Sequence, residues 1–259
     1  MKKCERQEQA VMELLKAKRK LTLTEAMEIL NVSESTVRRI FIRLEDSGAA
    51  VRNYGGIQLI GDHTSLEYLY EEEEGQFVEQ KRAIGTCAAG LVENGDILYL
   101  DAGTTIAHLC MALTERLAHR ELTDISVFTN SLVNLEILSR HITVNIIGGE
   151  YRANRRDFCG YLSEELLGKL HFTKCFLGAD GFHPQNGFTA TDFHTARLNE
   201  TAIRNADQRF VVTDSRKFAT TSMISYSRDQ RIDTVITNPI PEGIALPYLT
   251  EQQTRIIEV

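Results

Sequence analysis

The sequence predicts an α/β protein in two parts: a small helical head closed by a β-hairpin, then a larger body built on a largely parallel sheet. Three observations predict it. Of 259 residues, the first 60 hold eleven Lys/Arg against eight Asp/Glu, a net of +3, whereas the remainder stands at −10. Helical periodicity runs through the first 46 residues, and two short apolar runs around paired glycines follow. Beyond residue 80, short apolar runs alternate with amphipathic stretches, as in strand–helix–strand units. At 42% hydrophobic and 25% charged residues, disorder and collagen-like repeats are excluded. No stretch approaches the roughly 20 apolar residues of a membrane span. The start, MKKCERQEQ, lacks the apolar core of a signal peptide, so a cytoplasmic location is expected.

Within the head, Ala10, Val11, Leu14 and Leu15 recur at helical spacing, predicting a first helix over 6–18. A basic turn, Lys18-Arg19-Lys20, precedes a second helix in which Thr22 and Glu25 have capping-box spacing. Asn31-Val32 breaks that helix, and Ser33 is placed to cap a third, ending near Asp46. Three short helices with a tight turn between the last two form the helix-turn-helix layout. At about 100° per residue, Val37, Phe41 and Leu44 face inward. Ser35, Thr36, Arg39 and Arg43 face outward, with Arg38 on the flank. Alone, that outer face reads as a solvated helix. The segment AAVRNYGGIQLI then reads as a hairpin turning at Asn53–Gly56, a wing that offers Arg52 and Tyr54. Together they predict a winged helix-turn-helix over 1–60 that contacts double-stranded DNA through Ser33, Ser35, Thr36, Arg38, Arg39, Arg43, Arg52 and Tyr54.

Residues 61–80, with four consecutive glutamates, read as a solvated helix or hinge, leaving 81–259 as the body. There ILYLDAG, ISVFTN, VNIIGG, CFLGAD, RFVVTD, TVITN and RIIEV are strand-like, with helical patterns between several of them. Ligands of such sheets bind beyond the carboxyl ends of the strands. Five of those ends carry small, hydroxyl or charged residues. They supply Asp101, Gly103, Thr104 and Thr105; Asn130 and Ser131; Gly148 and Gly149; Asp180 and Gly181; and Asp214 and Lys217. Any one alone is an ordinary strand-to-helix turn. Jointly they suit a phosphorylated polyol, carboxylates accepting from hydroxyls while amides and the ammonium meet phosphate. Five scattered cysteines without C-x-x-C, and histidines without H-E-x-x-H, point to reduced thiols and no metal site. No dinucleotide or P-loop fingerprint is present, so no cofactor is expected.

These motifs resemble those of the DeoR family of bacterial transcriptional regulators, in order and over almost the whole chain. The head pattern appears as Val32-Ser33-Glu34-Ser35-Thr36-Val37-Arg38-Arg39, Leu44-Glu45-Asp46-Ser47-Gly48 and Arg52-Asn53-Tyr54-Gly55-Gly56. The body pattern appears at Leu100–Thr105, Thr129–Ser131, Gly148–Arg152, Gly178–Gly181 and Asp214–Phe218. The resemblance implies a C-terminal sensor domain similar in fold to ribose-5-phosphate isomerase, with phosphorylated sugars or sugar alcohols as effectors. It implies a repressor of a carbohydrate-utilisation operon rather than an enzyme, acting as a homodimer or higher oligomer.

Three departures stand out. Ile40-Phe41 replaces the usual Asp-Leu, which removes a charge beside the outward face. Arg216 stands where a small hydroxyl residue is common. His194 and Glu200 occupy places that usually hold glutamate and lysine, either altering the pocket or facing away from it. The alternative reading is an isomerase-like enzyme fused to a DNA-binding head, with Asp101 and Asp180 in acidic roles; loss of the glutamate–lysine pair weighs against it.

Overall fold

A computed structural model describes the backbone of residues 3–18, 20–46, 50–53, 56–59 and 68–259. Side chains are described for the same residues except 3–6, 16–18, 20, 46, 51–53 and 58–59. Contacts divide the chain into two units, Met1–Ser65 and Leu66–Val259.

The first unit contains α1 (Lys3–Lys18), β1 (Lys20–Thr22), α2 (Leu23–Leu30), α3 (Glu34–Asp46), β2 (Ala50–Asn53) and β3 (Gly56–Leu59). Thr22 closes the expected capping box: its Oγ1 accepts from the Glu25 N–H, and Glu25 Oε2 accepts from the Thr22 N–H. Asn31, at φ +49°, ends α2 in the left-handed region that asparagine tolerates. β2 and β3 form the expected hairpin, and β1 adds an unexpected third strand on β3. Gly56 permits that pairing, because a Cβ there would meet the Leu21 carbonyl. Val11, Leu15, Val37, Ile40, Phe41 and Leu44 fill the core. Ile40 corrects one expectation: lying three residues from Val37 and four from Leu44, it belongs to the buried stripe rather than beside the outward face.

The second unit begins with α4 (Tyr70–Glu74) and α5 (Val78–Gly90). It continues through β4 (Ile97–Leu100), α6 (Thr104–Ala118), β5 (Ser126–Thr129), α7 (Leu132–Leu138) and β6 (Val144–Ile146). A hairpin, β7 (Glu150–Arg152) and β8 (Asp157–Cys159), precedes α8 (Tyr161–Leu167), β9 (Phe172–Leu177), β10 (Gly181–His183) and β11 (Gly187–Ala190). Then come α9 (Phe193–Arg204), β12 (Ala206–Val212), a 3-10 turn (Ser215–Ala219), β13 (Ile224–Ser225), β14 (Thr234–Thr237), α10 (Pro247–Glu251) and β15 (Arg255–Glu258). All seven expected strands join one sheet in the order β15-β14-β12-β9-β4-β5-β6, every neighbouring pair parallel. Alternate strand residues feed opposite faces. Leu98, Leu100, Phe176 and Val212 pack with residues of α5 and α6. Tyr99, Cys175, Leu177 and Val211 pack with residues of α8 and α9. Both faces are thus covered, as a parallel sheet requires.

Of the stretch expected as a linker over 61–80, residues 70–74 and 78–80 are helical. From Leu66 the chain belongs to the second unit, and Tyr70 is 2% exposed against Ala107 and Val133. The glutamate run hid this anchor, because one buried aromatic at the head of a short helix leaves no periodic signal. Residues 61–67 lie outside the described residues. Among those described, no helix is long and apolar enough to cross a membrane.

Candidate functional site

Strand order reverses between β4 and β9: the chain runs outward from β4 to β5 and β6, and the other way from β9 to β12, β14 and β15. Loops leaving such neighbours diverge and open a crevice at their carboxyl ends. Asp101 sits at this gap. Its N–H donates to the Phe176 carbonyl at 3.0 Å, and its carboxylate accepts from the N–H groups of Ala102 (2.8 Å) and Gly178 (3.1 Å). At 3% exposure, burial outweighs both amides and raises its pKa to about 7.

A narrow cleft of about 470 Å³, its mouth included, opens here. Of the residues expected from sequence, Asp101, Gly103, Thr104, Thr105, Asp180, Asp214 and Lys217 line it. Gly103, at φ +139°, makes the turn that starts α6, so the unpaired first N–H groups of that helix border the cleft. Asp180 accepts from both the N–H and the hydroxyl of Thr191 at 2.9 Å. Asp214 chelates Arg216 at 2.8 and 3.0 Å. Burial works against the charge of Asp214, but Arg216, with Lys217 and Lys81, more than offsets this and lowers its pKa.

The other five expected residues do not line the cleft, and four of them follow β5 and β6, which lie one and two strands away from the reversal. Asn130 accepts from the Tyr99 hydroxyl and donates to the Phe158 carbonyl. Ser131 caps α7 through the Asn134 N–H. The Gly148 carbonyl accepts from Ser163, and a Cβ on Gly149 would collide with Ser163 Oγ and the Cys159 carbonyl. Gly181 starts β10, where a Cβ would meet the Thr220 carbonyl. His194 is 53% exposed near Glu164, and Glu200 pairs with Arg197; neither lines this cleft, to which α9 offers Thr195 and Asn199 instead.

The cleft also holds residues that the strand-end reading missed. Lys81 of α5 is 1% exposed and donates to the Glu73 carbonyl at 2.5 Å; burial lowers its pKa, and Glu73 opposes the shift. Its signal was available, since Lys81, Ile84, Gly85 and Ala88 share one buried helical stripe. Arg155, in the turn of the β7–β8 hairpin, stacks on Tyr68 at 4.3 Å and donates to Thr191 at 2.9 Å. It lies within 3.6–3.7 Å of Asp157, Asp180 and Asp192. Burial disfavours its charge, but those carboxylates prevail and raise its pKa. Arg155 Nε and Asn199 Oδ1 are buried without a hydrogen-bond partner. Nothing in the sequence around Arg155 distinguishes it from a surface turn.

In the first unit, Ser35, Arg38, Arg39 and Arg43 lie exposed on α3 as expected, and Ser33 is exposed just before it. The Ser33 hydroxyl hydrogen-bonds those of Ser35 and the half-buried Thr36, at 3.0 and 3.1 Å. The Ser33 main-chain carbonyl, rather than the hydroxyl, accepts from Thr36 and Val37 to open the helix. Arg38 pairs with Glu34, and Arg43 with Glu8, both at 2.7 Å in solvent. Arg39 makes no ion pair among the described residues. The Arg52 side chain and Tyr54 lie outside the described residues.

Residues 6–62 match the DeoR-like helix-turn-helix domain, and residues 76–239 match the DeoR C terminal sensor domain. The lactose phosphotransferase system repressor of Streptococcus mutans is 30% identical over 92% of this chain and 93% of its own length. The repressor GlcR of Bacillus subtilis is 29% identical over 90% of this chain and 87% of its own length. Among solved structures, ribose 5-phosphate isomerase A from Methanocaldococcus jannaschii is 18% identical, with 54% of each chain covered and a TM-score of 0.41. The chain belongs to the DeoR family of DNA-binding transcriptional regulators.

Proposed function

We propose that this regulator represses a carbohydrate-utilisation operon, and that a phosphorylated sugar or sugar alcohol in the cleft controls its hold on operator DNA. The observation that carries the ligand class is the division of charge in the cleft. Lys81, Lys217 and the N-terminus of α6 supply cations and amides for a phosphate, while Asp101 and Asp180 supply acceptors for hydroxyls. Arg155 Nε and Asn199 Oδ1 add a donor and an acceptor that a polyol can satisfy. Names of relatives such as the lactose phosphotransferase system repressor support the carbohydrate setting.

On the DNA side, α3 reads the major groove through Ser35, Arg39 and Arg43, and the wing adds Arg52 and Tyr54 on the backbone or minor groove. A pair of chains occupies a two-fold operator. The cleft binds without turnover, since α9 presents Thr195 and Asn199 to it rather than an acid–base pair. A thermal-shift screen of phosphorylated sugars beside their unphosphorylated counterparts tests the ligand class. At least one phosphorylated compound raises the Tm, and none of the free sugars does. Detectable isomerisation of any of them would overturn the reading as a pure sensor.

A further inference from the structure

The anion seat of the cleft already contains an anion, supplied by the chain itself. Glu73 Oε2 lies 3.3 Å from Arg216 Nη2, 3.4 Å from Lys217 Nζ and 3.8 Å from Lys81 Nζ. Three cations thus converge on one carboxylate oxygen, and Glu73 lines the cleft with Lys81 and Lys217. Arg216 extends the same grip along the chain: Nη1 donates to Gln76 Oε1 at 2.7 Å, and the guanidinium covers the Phe77 ring at 4.2 Å. Phe77 itself is held at φ +52°, a conformation unfavourable for a bulky side chain. Residues 73–77, which join the end of α4 to the start of α5, are therefore held onto the seat by side chains as well as by the helix ends. Tyr70, whose N–H donates to the Asn154 carbonyl, anchors the segment just upstream.

We propose that Glu73 is a resident counter-ion which the anionic group of the effector must displace, so that occupancy of the cleft releases the strap at residues 73–77. This rests on the reading of the cleft as a phosphate site. Three basic side chains, Lys81, Arg216 and Lys217, face two carboxylates, Glu73 and Asp214, a formal surplus of one positive charge. Exchange of the Glu73 carboxylate for a phosphate dianion removes that surplus, whereas a monoanion or a neutral sugar has no such advantage over the resident group. The strap thus selects for a dianion. Arg216 ties Glu73, Gln76 and Phe77 together.

The test uses the full chain, with inorganic phosphate as probe, followed by titration calorimetry and amide hydrogen exchange. A seat freed of its competitor binds in proportion to the vacant fraction, so Glu73→Gln binds phosphate about ten-fold more tightly than wild type. In wild type, phosphate increases exchange at residues 73–77 while protecting residues 103–106. Equal phosphate affinity in the two chains overturns the proposal. So does tighter binding by the variant with unchanged or slower exchange at 73–77 in wild type, since a merely neighbouring charge acts that way. Failure of both folded chains to bind phosphate at all overturns instead the reading of the cleft. If Glu73→Gln does not fold, the exchange measurement on wild type decides alone.

Discussion

The two units carry charge in opposite ways. On α3 the guanidinium groups stand in solvent, and their ion pairs with Glu34 and Glu8 are surface contacts, worth little in water. In the cleft, Lys81 and Arg155 are almost wholly buried, and Asp101 holds its proton up to about pH 7. Under the proposed function, the difference follows from the size of what each unit meets. A duplex is a long polyanion, recognised by exposed cations that exchange solvent and counter-ions for phosphates. A small metabolite offers a handful of atoms, and charges fixed in place at low dielectric are needed to hold it selectively.

Breaking this division at its strongest point is the largest expected effect. Arg39→Ala lowers operator affinity on the order of 100-fold, from the 1–3 kcal/mol of a bidentate base contact in each half-site. A ligand-induced Tm shift stays as in wild type. Mobility shift beside thermal shift checks both, and an intact footprint would dissolve the assignment of α3. The mirror experiment is Lys217→Met, which costs a charged hydrogen bond of about 1.5–3 kcal/mol. Ligand affinity falls 10- to 100-fold while DNA binding without ligand is unchanged; an unaltered dose response would remove Lys217 from the seat.

Asp101 sharpens the comparison through pH. Its folded pKa is raised, so the native state holds a proton that the unfolded chain releases near pH 4. The contribution is complete below that value and is lost as pH rises to about 7. The stability advantage of wild type over Asp101→Asn therefore shrinks by about 2 kcal/mol between pH 5.5 and 8 in urea denaturation. A gap that widened over this range would contradict the buried protonated carboxyl. The smallest effect belongs to the first unit: Thr22→Ala opens the capping box and destabilises that unit by about 1 kcal/mol.

Much of this was legible in advance because it is periodic. The seven strand runs, the inward stripe of Val37, Phe41 and Leu44, and the Thr22–Glu25 box all follow from local spacing, and each is present. The cleft was half legible. Strand ends at Asp101, Asp180 and Asp214 converge because β4, β9 and β12 are neighbours at and beside the reversal, and strand order is not written in any single run. Asn130, Ser131, Gly148 and Gly149 carry the same local chemistry on strands placed elsewhere. Arg155 and Tyr68 reach the cleft from a hairpin turn and from what read as a linker, through contacts far apart in sequence. Lys81 was within reach, as a cation on an otherwise apolar helix stripe.

Coupling between the two kinds of charge is the central claim, and fluorescence anisotropy on the full chain tests it most directly. A labelled duplex from the DNA upstream of the coding sequence is titrated with protein, with and without each sugar of the panel in its phosphorylated and free forms. The account predicts that at least one phosphorylated compound changes operator affinity ten-fold or more, while its unphosphorylated counterpart changes nothing. Equal responses to both forms, or indifference to every phosphorylated compound, would contradict it.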